Sequence, residues 1–165
     1  MANGSYDTPY RFIPLGYHHL ALLRRWFEEP HVRQWYSDPS GLEDIADHIE
    51  EADVHPYLVM LGHLPIAYLQ SYEVDGSHPY AATARGAIGL DQFIGPAAFL
   101  GRGHGSAFIR AYLRQCKADG VSHVIVDPKP TNHRAIAAYR KAGFAPLCYD
   151  RDPEEGAVLL MNAYL

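Results

Sequence analysis

Three glycines at alternate positions, Gly101, Gly103 and Gly105 in "LGRGHGSAFIRAYL", run into a stretch with Phe108, Ile109, Tyr112, Leu113 and Cys116 at helical spacing. Glycines this dense discard side chains where the chain turns, which suits a sharp bend, a close backbone neighbour or a ligand lying on the main chain. A helix beginning near Gly103 has four N–H groups without partners at the positive end of its dipole, a place where a pyrophosphate sits well. A tight loop holding nothing fits the same residues equally well. Spacing removes two nucleotide-binding templates. A P-loop needs GxxxxGK[ST], whereas Gly101 is followed five residues later by Ser106 with no lysine behind it. A dinucleotide fingerprint needs GxGxxG or a final Ala, whereas that position is Ser106 counted from Gly101 and Phe108 counted from Gly103.

The elements that must position this loop follow from periodicity and turn residues. "YRFIPL" (10–15) reads as a strand, and residues 17–29 as a helix with Leu20, Leu23, Trp26 and Phe27 on one stripe, stopped by Pro30. Residues 41–52 give a second helix, on which Leu42, Ile45 and Ile49 share a face. Residues 57–74 are two apolar runs around Gly62 to Pro65, a hairpin; a looser stretch, 75–86, leads to a strand over 87–94. After the glycines come a helix, a short buried strand at 122–127, and a helix capped by Thr131 or Asn132 and closed by Gly143. Two strands, 144–150 and 157–165, end the chain. This order predicts an α/β sheet with helices on both faces, built as a single domain over residues 1–165 with residues 1–9 flexible.

Composition narrows the function. The net charge of −5 and the scattered 14 Lys and Arg argue against a nucleic-acid groove. Cys116 and Cys148 form no CxxC pair, no HExxH occurs among the ten histidines, and His18 and His19 are adjacent and diverge on a helix, so no metal is expected. The first ten residues lack a basic start and an apolar core, and no apolar run nears the roughly 18 residues that span a bilayer. A cytoplasmic protein without membrane partners is expected, as monomer or homodimer.

Read together, "LGRGHG" and "DPKPTNHRAIAAYRKAGF" resemble the GNAT superfamily of acyl-CoA-dependent N-acetyltransferases. That family carries a (Q/R)xxGxG/A loop that binds the CoA pyrophosphate through backbone amides, followed later by an N-x-x-A-x-x-x-Y-x-x-x-G-F stretch. Gly103 and Gly105 match the loop; Asn132, Ala135, Tyr139, Gly143 and Phe144 match the second stretch; Leu100 stands where Gln or Arg is usual. The segments "HVRQWYSD", "HPYLVMLGHLPIAYLQSY" and "GLDQFIG" also look like the aminoglycoside 6'-N-acetyltransferases, in which Leu tends to precede the glycine loop.

The resemblance implies a mixed, largely antiparallel sheet with splayed middle strands, acetyl-CoA as co-substrate held by Gly101, Arg102, Gly103, His104, Gly105, Ser106 and Asn132, and a primary amine as acceptor. Asp91 matches the family's proposed base: an amine with a pKa well above 7 arrives as an ammonium, which a carboxylate both holds and deprotonates. An Asp bonding turn amides is the plainer reading of the same residue. Tyr139 matches the general acid that returns a proton to the departing thiolate; without the resemblance it reads as packing. Neither cysteine sits in an acyl-accepting motif, so direct transfer is implied. Asp127 and Trp35 match an acid and an aromatic that hold the polycation, with turn-capping and core as their alternatives. Glu155 lies where an acid is common, though a solvated turn accounts for it too. The connection from Tyr72 to Asp91 departs from the aminoglycoside group. It is shorter and its acids are Glu73 and Asp75 only, with the Tyr80 ring as a compensating substrate surface. The leading expectation is acetylation of an aminoglycoside 6'-amine, which confers resistance. Another amine (protein N-terminus, polyamine, siderophore precursor) or a non-catalytic acyl-CoA sensor are the alternatives.

Overall fold

In the computed structural model, which describes residues 9–36 and 40–165, alternating apolar residues build seven strands into one sheet. The elements are β1 (Tyr10–Pro14), α1 (Leu20–Phe27), α2 (Pro30–Arg33), α3 (Gly41–His48), β2 (Val54–Leu61), β3 (Leu64–Glu73), α4 (Ala81–Ala84), β4 (Ile88–Ile94), α5 (His104–Ala118), β5 (His123–Val126), α6 (His133–Ala142), β6 (Ala145–Asp152) and β7 (Gly156–Tyr164). The expected flexibility of residues 1–8 lies outside the described residues. Pro9, the last of that segment, accepts a hydrogen bond from the Gly62 N–H at 3.3 Å.

Two one-turn helices were not foreseen. The first helix does stop before Pro30, at Phe27, but Pro30 is also the first residue of α2, where a missing N–H costs nothing. The stretch 75–86 contains α4, too short to show a period. His18 and His19 lie in a 3-10 turn and not on a regular helix, and their ring centroids come within 3.8 Å instead of diverging.

The sheet order is β1-β2-β3-β4-β5-β7-β6, antiparallel except for β4 and β5. That parallel pair carries the geometry of the whole molecule: it is joined only through Ile88 opposite Val124 and Gly89 opposite Ile125. Beyond those residues the strands part, and a wedge opens in the middle of the sheet. The two faces carry separate cores. Leu23, Trp26, Val32 and Ile45 bury against Leu58, Tyr68 and Phe93 on one. On the other, Phe108, Ile109, Tyr112 and Leu113 of α5 and Ile136 and Tyr139 of α6 bury against Val59, Leu69, Leu90 and Val126. Apolar stripes at helical spacing give α5 and α6 one buried face each. The Tyr112 hydroxyl, donating to Ser71 Oγ at 2.8 Å, ties α5 to β3 inside that core.

Candidate active site

The wedge is the mouth of a cavity of about 330 Å³ whose walls include Trp35, Tyr36, Tyr72, Asp91, Gln92, Gly105, Asp127, Lys129, Asn132, Tyr139 and Glu155. Its size is that of a small-molecule site. Backbone alternation along β4 supplies its first polar groups. Gly95 N–H donates to Ile66 O on the β3 side, so the intervening peptides of Gln92 and Ile94 turn their polar groups into the wedge. The Tyr36 hydroxyl donates to Gln92 O at 3.3 Å and His31 Nε2 to Ile94 O at 2.9 Å, which leaves the N–H groups of the same residues directed along the opening.

The glycine turn reaches the cavity wall through Leu100 and Gly105, whereas Gly101, Arg102, Gly103, His104 and Ser106 do not line it. Gly101 (φ +70°) and Gly103 (φ +82°) adopt left-handed conformations that residues with a Cβ rarely take. Gly103 is the N-cap of α5, and its carbonyl accepts the first helical bond from Ala107 N–H at 3.1 Å. The amides of His104, Gly105 and Ser106 thus precede any helical acceptor and form the positive end of a 15-residue helix. These donors and the bare backbone fit a pyrophosphate. The side chains of the loop do other things: His104 Nδ1 is hydrogen-bonded to the Tyr10 hydroxyl at 2.8 Å, and Ser106 Oγ donates back to Gly103 O at 3.1 Å, so both residues offer amides alone. Arg102 is exposed. Across the cavity Asn132 is the N-cap of α6, settling the choice between it and Thr131; its Oδ1 accepts from Ala135 N–H at 3.1 Å.

On the cavity wall three elements bring carboxylates together. Asp91 stands within β4, where its Oδ2 accepts a hydrogen bond from Gln70 Nε2 at 2.8 Å, so it is not a turn-capping Asp. It is half-buried on the cavity wall. Burial pushes its carboxyl up to about 7; the charges of Asp127, Glu155 and Asp152 push the same way and the Gln70 hydrogen bond opposes them. Asp127 follows β5 and accepts from the Tyr80 hydroxyl at 2.7 Å; burial raises its pKa as well. Glu155, exposed on the β6–β7 turn, pairs with Lys129 Nζ at 3.0 Å.

Tyr139 sits on the buried stripe of α6, with its hydroxyl at 3.5 Å from Gln92 Nε2. Burial raises its pKa above the usual phenol range, as do the charges of Asp91 and Asp127, so the phenol keeps its proton while Asp91 ionises. The arrangement therefore holds a proton acceptor and a proton donor in opposite states on one cavity. Trp35 lies on the cavity wall, half-buried, and is not a core residue.

Tyr80 corrects an expectation. Its ring was to offer a substrate surface, but only 1% of the residue is exposed and it is absent from the cavity lining. The ring packs with Val74, Ala84, Ile125 and Val158, because α4 folds the β3–β4 connection back onto the sheet. Only the hydroxyl reaches the site, through Asp127. Glu73 and Asp75 contribute nothing to the main cavity either; Asp75 Oδ1 is bonded to the Ser77 and His78 amides at 2.7 and 3.1 Å.

Sequence reading missed Tyr36, Tyr72, Asp152 and Gln70. Tyr72 and Gln70 share one face of β3 with Tyr68 by the two-residue strand period, and Gln70 is the register partner of Asp91. The ring of Tyr72 passes over Gly89, where an added Cβ would come within 2.2 Å of it. Gly89→Ala is accordingly expected to destabilise the fold by about 1–3 kcal/mol, the usual range for overpacking, in urea titration, and to displace the Tyr72 ring from the cavity wall. A wild-type midpoint would show that β4 yields at this point.

The sheet with its splayed parallel pair and the glycine-started helix beside it define an acyltransferase scaffold, and the chain matches the Acetyltransferase (GNAT) domain family over residues 17–148, so it belongs to that family. More particularly, it is similar to the aminoglycoside N(6')-acetyltransferase type 1 of Klebsiella pneumoniae, with 35% identity over 157 residues that cover 88% of this chain and 78% of the relative. A kanamycin resistance protein of Rhizobium radiobacter is 41% identical over 81 residues, covering 48% of this chain and 75% of its own length. Among solved structures, AAC(6')-Ib in complex with paromomycin and acetyl-CoA superposes with a TM-score of 0.84 at 31% identity, covering 96% of this chain and 94% of the other. The same enzyme with coenzyme A and kanamycin gives 0.83 at 32% identity, with 94% of each chain covered. No helix among the described residues is long and apolar enough to cross a membrane, and among them no group of three or more His, Cys, Asp or Glu could hold a metal ion.

Proposed function

We propose that this protein transfers the acetyl group of acetyl-CoA to a primary amine of an aminoglycoside, the 6'-amine being the acceptor, and so confers resistance. The observation that carries the reading is a single cavity lined both by Gly105, in the open-amide first turn of α5, and by the carboxylates Asp91 and Asp127. Its relatives of known name act on or bind aminoglycosides over most of the chain's length.

Acetyl-CoA supplies an activated thioester, and the chain's own residues do the rest. The amides of Gly103, His104, Gly105 and Ser106, flanked by Gly101, Arg102 and Asn132, hold the pyrophosphate. Asp127 and Glu155 attract the cationic sugar and Trp35 packs on its ring face. Asp91 holds the reacting ammonium and takes its proton, directly or through water. The wedge-facing N–H groups of β4 polarise the thioester carbonyl, and Tyr139 donates to the departing thiolate. Transfer is direct, since Cys116 is buried in the α5 core and neither it nor Cys148 lines the cavity.

A different amine remains as the second reading, because the β3–β4 connection brings no carboxylate to the cavity and Lys129 already neutralises Glu155. Free-thiol release from acetyl-CoA, measured with kanamycin, a sugar blocked at its 6'-amine, spermidine and a peptide, separates them. Turnover with kanamycin and not with the blocked sugar is expected. Turnover only with spermidine or the peptide moves the substrate class, and tight acetyl-CoA binding without turnover makes the protein a sensor.

A further inference from the structure

Beside Asp91, two residues of β3 and one at the end of α3 form a hydrogen-bonded clamp. Gln70 Oε1 accepts from the Tyr68 hydroxyl at 2.5 Å and lies 3.1 Å from His48 Nδ1, at the end of α3. A carbonyl oxygen only accepts, so His48 carries its proton on Nδ1 and both neighbours donate to the same atom. Two donors on Oε1 fix which way the Gln70 amide points. Its NH₂ group must then face Asp91 Oδ2, which it meets at 2.8 Å. Gln70 lines no part of the cavity and so acts on substrate only through Asp91.

We infer that Gln70, locked by Tyr68 and His48, is a positioning residue that occupies one oxygen of Asp91, leaves the other for the amine, and favours the charged carboxylate in a site that otherwise disfavours charge. This rests on the reading of Asp91 as the proton acceptor. The physical need is plain. Three carboxylates face Asp91 from the strands beyond it: Asp127 after β5, Asp152 on β6 and Glu155 on the following turn. The phenols around it are Tyr36 after α2, Tyr68 and Tyr72 on β3, and Tyr139 on α6. None of these supplies positive charge; of the basic side chains on the cavity wall, Lys129 on the β5–α6 connection is paired with Glu155, and the others are His31 of α2 and Arg134 of α6. The Gln70 amide is the one neighbour among the causes of the Asp91 shift that favours the charged form. A donated hydrogen bond to a carboxylate lowers its proton affinity, and a charge-assisted one is among the stronger kinds.

The test follows Asp91 itself. Carboxyl carbon resonances of protein labelled with ¹³C-aspartate are recorded against pH, Asp91 being assigned by its loss in Asp91→Asn. In Gln70→Leu the Asp91 midpoint is expected to move up by about one pH unit, roughly tenfold in proton affinity. With kanamycin as the amine, the acid limb of kcat/KM moves with it while the alkaline plateau stays within about threefold of wild type. His48→Ala, on a half-buried helix end, moves the midpoint the same way by less and stands in if Gln70→Leu does not fold. An unchanged midpoint in both variants overturns the inference, and so does a uniform loss at every pH with the limb in place, since that is what a packing role gives. The underlying reading fails separately: if Asp91→Asn keeps wild-type turnover, Asp91 is not the base, whatever the resonance does.

Discussion

Asp91→Asn is expected to lower kcat/KM for the amine by about 10²–10⁴-fold while making the protein more stable at neutral pH. The first effect follows from chemistry. An amide cannot take a proton from an ammonium or hold it by charge, yet Asn is nearly isosteric and its Oδ1 still accepts from Gln70 Nε2. Acetyl-CoA affinity is expected to be unchanged, because Asp91 stands on β4 and takes no part in the open amides at the start of α5. The second effect follows from linkage. The Asp91 carboxyl titrates near 3.8 in the unfolded chain and is raised to about 7 in the fold by burial and the neighbouring carboxylates. Between those values the folded chain keeps a proton that the unfolded chain has released, so stability falls as pH rises through that window. Above it the fold bears a desolvated charge. Asn removes that penalty, so its melting temperature should match wild type near pH 4 and exceed it at pH 8. Calorimetry at both pH values, beside thiol release, checks the pair. A variant that is inactive and also less stable at pH 8 would mean a structural lesion, and the base assignment would lose its support.

The same residue shows why part of the site could be read from one dimension and part could not. Asn132 and Gly143 announce both ends of α6, and the apolar stripe of α5 starts where the glycines stop, so both of these helices were visible as local pattern. Local pattern says nothing about α2 and α4, four residues each, where no period can develop. It also cannot show that β4 and β5 pair through two residues and then separate, which is what creates the cavity. Gln70 faces Asp91 only because β3 and β4 pair with that register, and the register is set by the folded connection between them. Tyr80 failed for a related reason. An aromatic in a polar, glycine-flanked stretch reads as exposed, and only the turn of α4 back onto Val74 and Ile125 buries it.

Tyr139→Phe is expected to lower kcat with acetyl-CoA by about 10²-fold or more while leaving both KM values within a few-fold of wild type. The ring is a packing element in its own right: Tyr139 makes an edge contact with Phe144 at 5.6 Å between centroids, and Phe preserves it. Only the hydroxyl is lost, along with its long contact to Gln92. In the free protein, burial and then the Asp91 and Asp127 charges hold the phenol's pKa high, which makes it a reluctant acid. A bound ammonium offsets those two charges, so the proton becomes easier to give when the substrate is in place. The deficit should therefore depend on the thiol that must leave. Thioesters of more acidic thiols need less protonation, and with them the Phe variant should approach wild-type kcat; Asp91→Asn should show no such recovery, because its lost step is on the amine. Equal sensitivity of both variants to the leaving group would place Tyr139 and Asp91 on the same proton, and wild-type kcat in Tyr139→Phe would return Tyr139 to the packing role that its position on the α6 stripe already explains.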